Sequence, residues 1–132
     1  MEHIKAVTLI DDDEVFVFLT TKVIKQTKLI DTITVFSNGL DALNFIKENK
    51  ENTEILPRII FLDLSMPIMN GWQFLAEYAM LNLDICKKIA IYVCSSSISP
   101  DDVSRAKTIS EVSDYIIKPI TKDKFIEIIR NL

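Results

Sequence analysis

The chain has 132 residues, 48% apolar and 26% charged, a length and balance that suit one globular domain and exclude a disordered or collagen-like protein. Its formal net charge is −4 and its isoelectric point about 5.0, and no stretch gathers the Lys and Arg that a nucleic-acid surface needs. No run approaches the ~18 continuous apolar residues of a membrane span.

Met1, Glu2, His3, Ile4 and Lys5 lead straight into a strand-like run rather than a targeting segment, so a cytoplasmic location is expected. In chain order, β-branched residues at 6–10 predict a first strand, and a helix is expected over 14–27. A second strand at 32–36 and a helix at 39–47 follow, then a polar, aperiodic surface loop at 48–54. The apolar run 59–62 predicts a third strand and 72–82 a helix. The fourth strand is expected at 89–94 and its helix at 100–108, with Ser99 as cap, Pro100 at the first helical position and Asp102 as the capping-box acid. A fifth strand at 115–117 precedes a final helix over 122–131. In that helix Phe125, Ile128, Ile129 and Leu132 form one stripe, while Lys122, Asp123, Glu127 and Arg130 lie off it.

Strands alternating with helices indicate βαβ units and a parallel sheet. With no repeat, low-complexity tract or tail, one domain over residues 1–132 is expected, with no output domain attached. Cys86 and Cys94 have neither metal-ligand spacing nor disulfide-scaffold density, and Cys94 reads as a reduced core thiol.

Asp11, Asp12 and Asp13 follow the first strand and Asp63 follows the third, so a parallel sheet gathers them at its carboxyl edge, where open α/β sheets bind ligands. Carboxylates held that close either raise a pKa or recruit a hard cation such as Mg2+. Alone, the acidic run reads equally well as a solvated helix cap. Lys118-Pro119 after the fifth strand adds a cation at the same edge, and Ser95-Ser96-Ser97 after the fourth adds hydroxyls, although each alone is commonplace. Together they set a carboxylate nucleophile, a metal, a hydroxyl donor and an ammonium around one point, as phosphoryl transfer requires.

With Leu9-Ile10-Asp11-Asp12-Asp13, Phe61-Leu62-Asp63-Leu64-Ser65-Met66-Pro67, Asn70-Gly71, Val93-Cys94-Ser95-Ser96-Ser97 and Asp114-Tyr115-Ile116-Ile117-Lys118-Pro119, the chain resembles receiver domains of bacterial two-component response regulators, including single-domain chemotaxis regulators. The resemblance implies a flavodoxin-like, doubly wound α/β fold, a five-stranded parallel sheet in order 2-1-3-4-5 with five helices. It implies that Asp63 accepts a phosphoryl group, that Asp12 touches Mg2+ directly and Asp11 through water, and that the Ser65 backbone carbonyl completes the protein ligands. Asp13 is then a helix-start residue. Ser95 matches the hydroxyl switch, Lys118 the phosphoryl-pairing lysine and Tyr115 the aromatic that turns inward with Ser95. The Lys118-Pro119 bond is cis in such domains, and Gly71 matches a glycine that lets the loop turn, with a left-handed backbone expected. The implied partners are a histidine kinase or phosphotransfer protein and a downstream protein target.

Ser65 and Ser96 depart from the family's frequent Asn and its small Ala or Gly, which leaves the phosphoryl lifetime open. Three other readings share parts of the pattern: an aspartyl-phosphate hydrolase, a scaffold that works without phosphorylation, and a flavodoxin-like electron carrier. The hydrolase is disfavoured by Ser65, where such phosphatases commonly place an acid, and the carrier by acids where a flavin phosphate loop belongs. His3, the only histidine, is expected at the surface, and Met66, Met69 and Trp72 are expected to pack rather than bind a cofactor.

Overall fold

Short β-branched runs build five strands, β1 (Ile4–Ile10), β2 (Ile30–Phe36), β3 (Ile59–Leu62), β4 (Ala90–Ser95) and β5 (Val112–Ile117). They alternate with helices α1 (Glu14–Gln26), α2 (Gly39–Glu48), α3 (Gly71–Leu81), α4 (Pro100–Lys107) and α5 (Lys122–Arg130). The computed structural model describes residues 3–132, and the expectation for Met1 and Glu2 lies outside them. The strands form one parallel sheet in the order β2-β1-β3-β4-β5, the expected doubly wound arrangement.

All four residues of β3 are buried, as a central parallel strand covered on both faces should be. Strand alternation divides them. Ile60 and Leu62 join Leu43, Ile46, Phe74, Leu75 and Tyr78 in a core beneath α2 and α3. Ile59 and Phe61 join Phe16, Ile24, Phe125, Ile128 and Ile129 in a core beneath α1 and α5. The expected apolar stripe of the last helix thus supplies its buried face. Cys94 is buried and Cys86 half-buried, both with free thiols. Among the described residues, no helix is long and apolar enough to cross a membrane.

Parallel register carries the site. One row across the sheet runs Phe36, Ile10, Leu62, Val93 and Tyr115. Asp11 and Asp63 each lie one residue beyond that row, Ser95 two and Lys118 three. Four strand ends therefore deliver their polar residues to the same edge.

Several local expectations are corrected. β1, β2 and β5 begin earlier than the sequence suggests, at Ile4, Ile30 and Val112, because strand pairing holds polar residues that break the apolar pattern. Helix α3 runs from Gly71 to Leu81 and stops at Asn82, which adopts a left-handed C-cap at φ 47°. A 3-10 turn at Asp84–Lys88, with no periodic signal in the sequence, precedes β4. Ser99 is the N-cap of α4 by position, but its side chain caps nothing. The hydroxyl of Ser97 bridges the helix start instead, donating to Asp102 Oδ2 at 2.9 Å and accepting from the Ser99 N–H at 3.2 Å.

Gly71 is not left-handed. A Cβ there would lie 2.3 Å from the Asp63 carbonyl oxygen and 2.9 Å from the Leu64 Cα. Close approach of α3 to the strand end requires the glycine, and the left-handed turn falls instead on Ile68, at φ 66°. The Lys118-Pro119 peptide bond is cis.

Candidate functional site

The first loop is built by its own side chains. Asp13 is the N-cap of α1, its Oδ1 accepting from Val15 N–H at 3.0 Å and Phe16 N–H at 3.1 Å, so this third acid is the helix-start residue it was expected to be. Asp11 Oδ1 accepts from the Asp13 N–H at 2.9 Å, which turns Asp11 inward. Asp11 is 3% exposed, whereas Asp12 is exposed at the rim.

Asp63 is 8% exposed. Its Oδ1 accepts from the Leu64 N–H at 2.9 Å, and the Ser65 N–H also faces the carboxylate. Burial, then repulsion from Asp11, push its carboxyl up to about 6, against the opposing pull of Lys118 and those two N–H groups. A carboxylate so placed favours any positive charge that arrives.

Lys118 supplies one such charge. Its Nζ lies 2.8 Å from Asp11 Oδ2 and 3.5 Å from Asp63 Oδ1. Burial alone would lower its pKa, but the two carboxylates outweigh burial and raise it, so the ammonium stays charged. Asp11 Oδ2 is buried with the Lys118 ammonium 2.8 Å away, and that one charge-assisted contact leaves a lone pair of the carboxylate oxygen for a cation.

Oxygens of Asp11, Asp12 and Asp63 lie within 4.8 Å of one another. This all-oxygen, net-negative donor set fits a hard divalent cation such as Mg2+. Ser65 is exposed two residues past Asp63.

On the fourth strand end, Ser95 is buried and its Oγ accepts from the Ser97 N–H at 3.0 Å, which leaves the hydroxyl hydrogen available to donate. Tyr115 donates its hydroxyl to the Ser97 carbonyl at 2.9 Å. Ser97 thus touches Ser95, Tyr115, Ser99 and Asp102 at once. The sequence marked Ser97 only as a neighbour of the site. A residue the sequence left unmarked is Phe16, whose ring lies under the Lys118 ammonium at 4.3 Å from the centroid. Its only sequence signal is its place three residues after the Asp13 cap.

Elsewhere the sequence reading and the geometry agree. Met66, Met69 and Trp72 pack against the core, with the Arg105 guanidinium 4.1 Å from the Trp72 ring. His3 is exposed and faces Asp31.

A family model described as the response regulator receiver domain matches residues 7–130. The crystal structure of a two-component response regulator from Cytophaga hutchinsonii superposes with a TM-score of 0.90 at 29% identity, over 98% of this chain and 97% of that one. The chemotaxis protein CheY of Listeria monocytogenes is 29% identical over 119 residues, 90% of this chain and 91% of its own. The response regulator Rcp1 of Synechocystis is 30% identical over 100 residues, 75% of this chain and 67% of its own. A Mn2+-bound form of Rcp1 superposes with a TM-score of 0.74 at 28% identity, over 94% of this chain and 88% of that one. The sheet order, the acidic edge and a match spanning nearly every element lead to one assignment: the chain belongs to the response regulator receiver domain family.

Proposed function

We propose that residues 1–132 act as one receiver unit in which Asp63 accepts a phosphoryl group from a histidine kinase or histidine phosphotransfer protein. The observation that carries this reading is the Asp63 carboxylate, buried at the end of β3 with the Lys118 ammonium 3.5 Å from Oδ1 and Asp11 and Asp12 beside it. An Asp63 oxygen attacks phosphorus as the bond from phosphorus to the donor nitrogen breaks, and the departing imidazole keeps that electron pair. The product is an acyl phosphate.

Asp11, Asp12, Asp63 and the Ser65 backbone carbonyl would hold Mg2+, and the Mn2+-bound form of Rcp1 supports a divalent site in a relative. When bound, the ion neutralises charge that builds on the phosphoryl oxygens. Lys118 pairs with one of those oxygens, and Ser95 donates its free hydroxyl hydrogen to another. Both contacts are stronger in the phosphorylated state, so they bias a two-state equilibrium. As Ser95 turns toward the phosphoryl group it releases the Ser97 N–H, and Tyr115, held on the Ser97 carbonyl, reports the change at the surface of α4 and β5. A downstream protein then binds that face, and no turnover of outside substrates is involved.

Incubation with Mg2+ and a small acyl-phosphate donor, followed by intact-mass measurement, tests this. Wild type gains one phosphoryl group, and the gain is lost with chelator or in Asp63→Asn. Equal gain in Asp63→Asn, or a gain indifferent to Mg2+, contradicts the reading.

A further inference from the structure

The Lys118 ammonium lies 2.8 Å from Asp11 Oδ2, 3.5 Å from Asp63 Oδ1 and 4.3 Å from the centroid of the Phe16 ring. The two carboxylates both draw it toward the acidic edge. The aromatic face closes the α1 side, where the side chain of Lys118 is only 15% exposed.

Phe16 is unusually well fixed for this task. Its N–H is tied to the Asp13 cap at 3.1 Å, and the residue is 8% exposed, packed in the core formed with Phe61 and Phe125. Neighbouring α1 positions differ: Val15 and Phe18 are each 68% exposed. The helix thus turns one aromatic inward, and that aromatic lies under the cation. A ring face attracts an ammonium through its quadrupole, and more strongly where water is excluded. It also offers no hydrogen-bond acceptor, so it leaves the ammonium protons free for oxygen partners.

We propose that Phe16 is a positioning residue for the phosphoryl-transfer site, its ring holding the Lys118 ammonium at the distance from Asp63 where it meets the incoming phosphoryl oxygens. This rests on the reading of Asp63 as phosphoacceptor. Without the aromatic face, the flexible lysine stem gains alternatives to the productive position, and a leucine of similar apolarity fills the space but supplies no quadrupole.

The test compares wild type, Phe16→Tyr and Phe16→Leu, with Phe16→Met as a second non-aromatic variant should the leucine protein not fold. Two readouts are taken: the rate of Mg2+-dependent phosphorylation by a small acyl phosphate, and the NMR shift of the Lys118 side-chain protons, which an aromatic face moves upfield. Phe16→Tyr is expected within about twofold of wild type with the upfield shift kept, and Phe16→Leu about fivefold slower with the shift lost. Leucine at the wild-type rate with an unchanged lysine shift overturns the proposal. So does an equal loss in tyrosine and leucine, which would make the ring mere packing. If wild type takes up no phosphoryl group, the assigned reaction fails instead, and the lysine shift alone decides whether Phe16 positions the ammonium.

Discussion

Asp63 is held at a cost that its surroundings only partly offset. Burial and Asp11 raise its carboxyl to about 6, so the folded state keeps a proton that the unfolded chain gives up near pH 4. The stability tied to that proton is fully present below pH ~4 and is lost as pH rises through about 6. In metal-free buffer at neutral pH, Asp63→Asn should therefore stabilise the fold by about 2 kcal/mol, with the gain shrinking as pH falls through about 6 and gone below pH ~4. Denaturant titrations of both proteins across that range check the sign, and a neutral-pH loss of stability in Asp63→Asn would contradict it. At this scale the gathering of Asp11, Asp12, Asp63, Ser95 and Lys118 at one edge was legible, because each lies at or just past a strand end and a parallel sheet must align strand ends. The ring of Phe16 and the multiple bonds of Ser97 were not, since both depend on which side chain a neighbouring element turns toward them. The reason for Gly71 was legible only as a turn, whereas the structure gives it as the close approach of the Asp63 carbonyl.

Between elements, the β4–α4 loop combines an ambiguous sequence with several side-chain hydrogen bonds. Three serines and a fourth at Ser99 offer several capping patterns, and position in the sequence favoured Ser99. The geometry chooses Ser97, whose Oγ bonds both Asp102 and the Ser99 N–H. Ser97→Ala should cost about 1 kcal/mol through the lost hydrogen bonds to Asp102 and the Ser99 N–H, whereas Ser99→Ala should change stability by less than about 0.5 kcal/mol. Chemical denaturation of the two variants distinguishes them, and the reverse ranking would restore the sequence's choice. Helices with a strong apolar stripe, such as α5, were read almost to the residue. The edge strands β2 and β5 were read short, because Asp31, Ser113 and Asp114 interrupt their apolar pattern and only pairing with a neighbour extends them. The 3-10 turn at Asp84–Lys88 was invisible for the related reason that five residues without a period carry no pattern.

For the whole molecule, the site and the fold are linked through charge. Asp11, Asp12 and Asp63 repel one another across the sheet edge, and Lys118 only partly offsets that repulsion. Binding of Mg2+ to the folded state should therefore raise stability by about 2.7 kcal/mol at a hundredfold excess over Kd. Thermal melts with Mg2+ and then with chelator measure this, and Asp12→Asn should lose most of the gain without losing the fold, since Asp12 is exposed. A gain of equal size in Asp12→Asn would place the cation elsewhere. The parallel α/β class was legible because five apolar runs alternate with helices, whereas the strand order 2-1-3-4-5 was implied by the family resemblance.

Locating the phosphoryl group on the chain tests the central claim most directly. After treatment with an acyl phosphate and Mg2+, borohydride reduction converts an aspartyl phosphate to homoserine, which peptide sequencing by mass spectrometry then places. Homoserine at position 63 alone is the predicted result. Homoserine at Asp11 or Asp12, or phosphorylation that resists borohydride on a serine such as Ser95, would contradict Asp63 as the nucleophile.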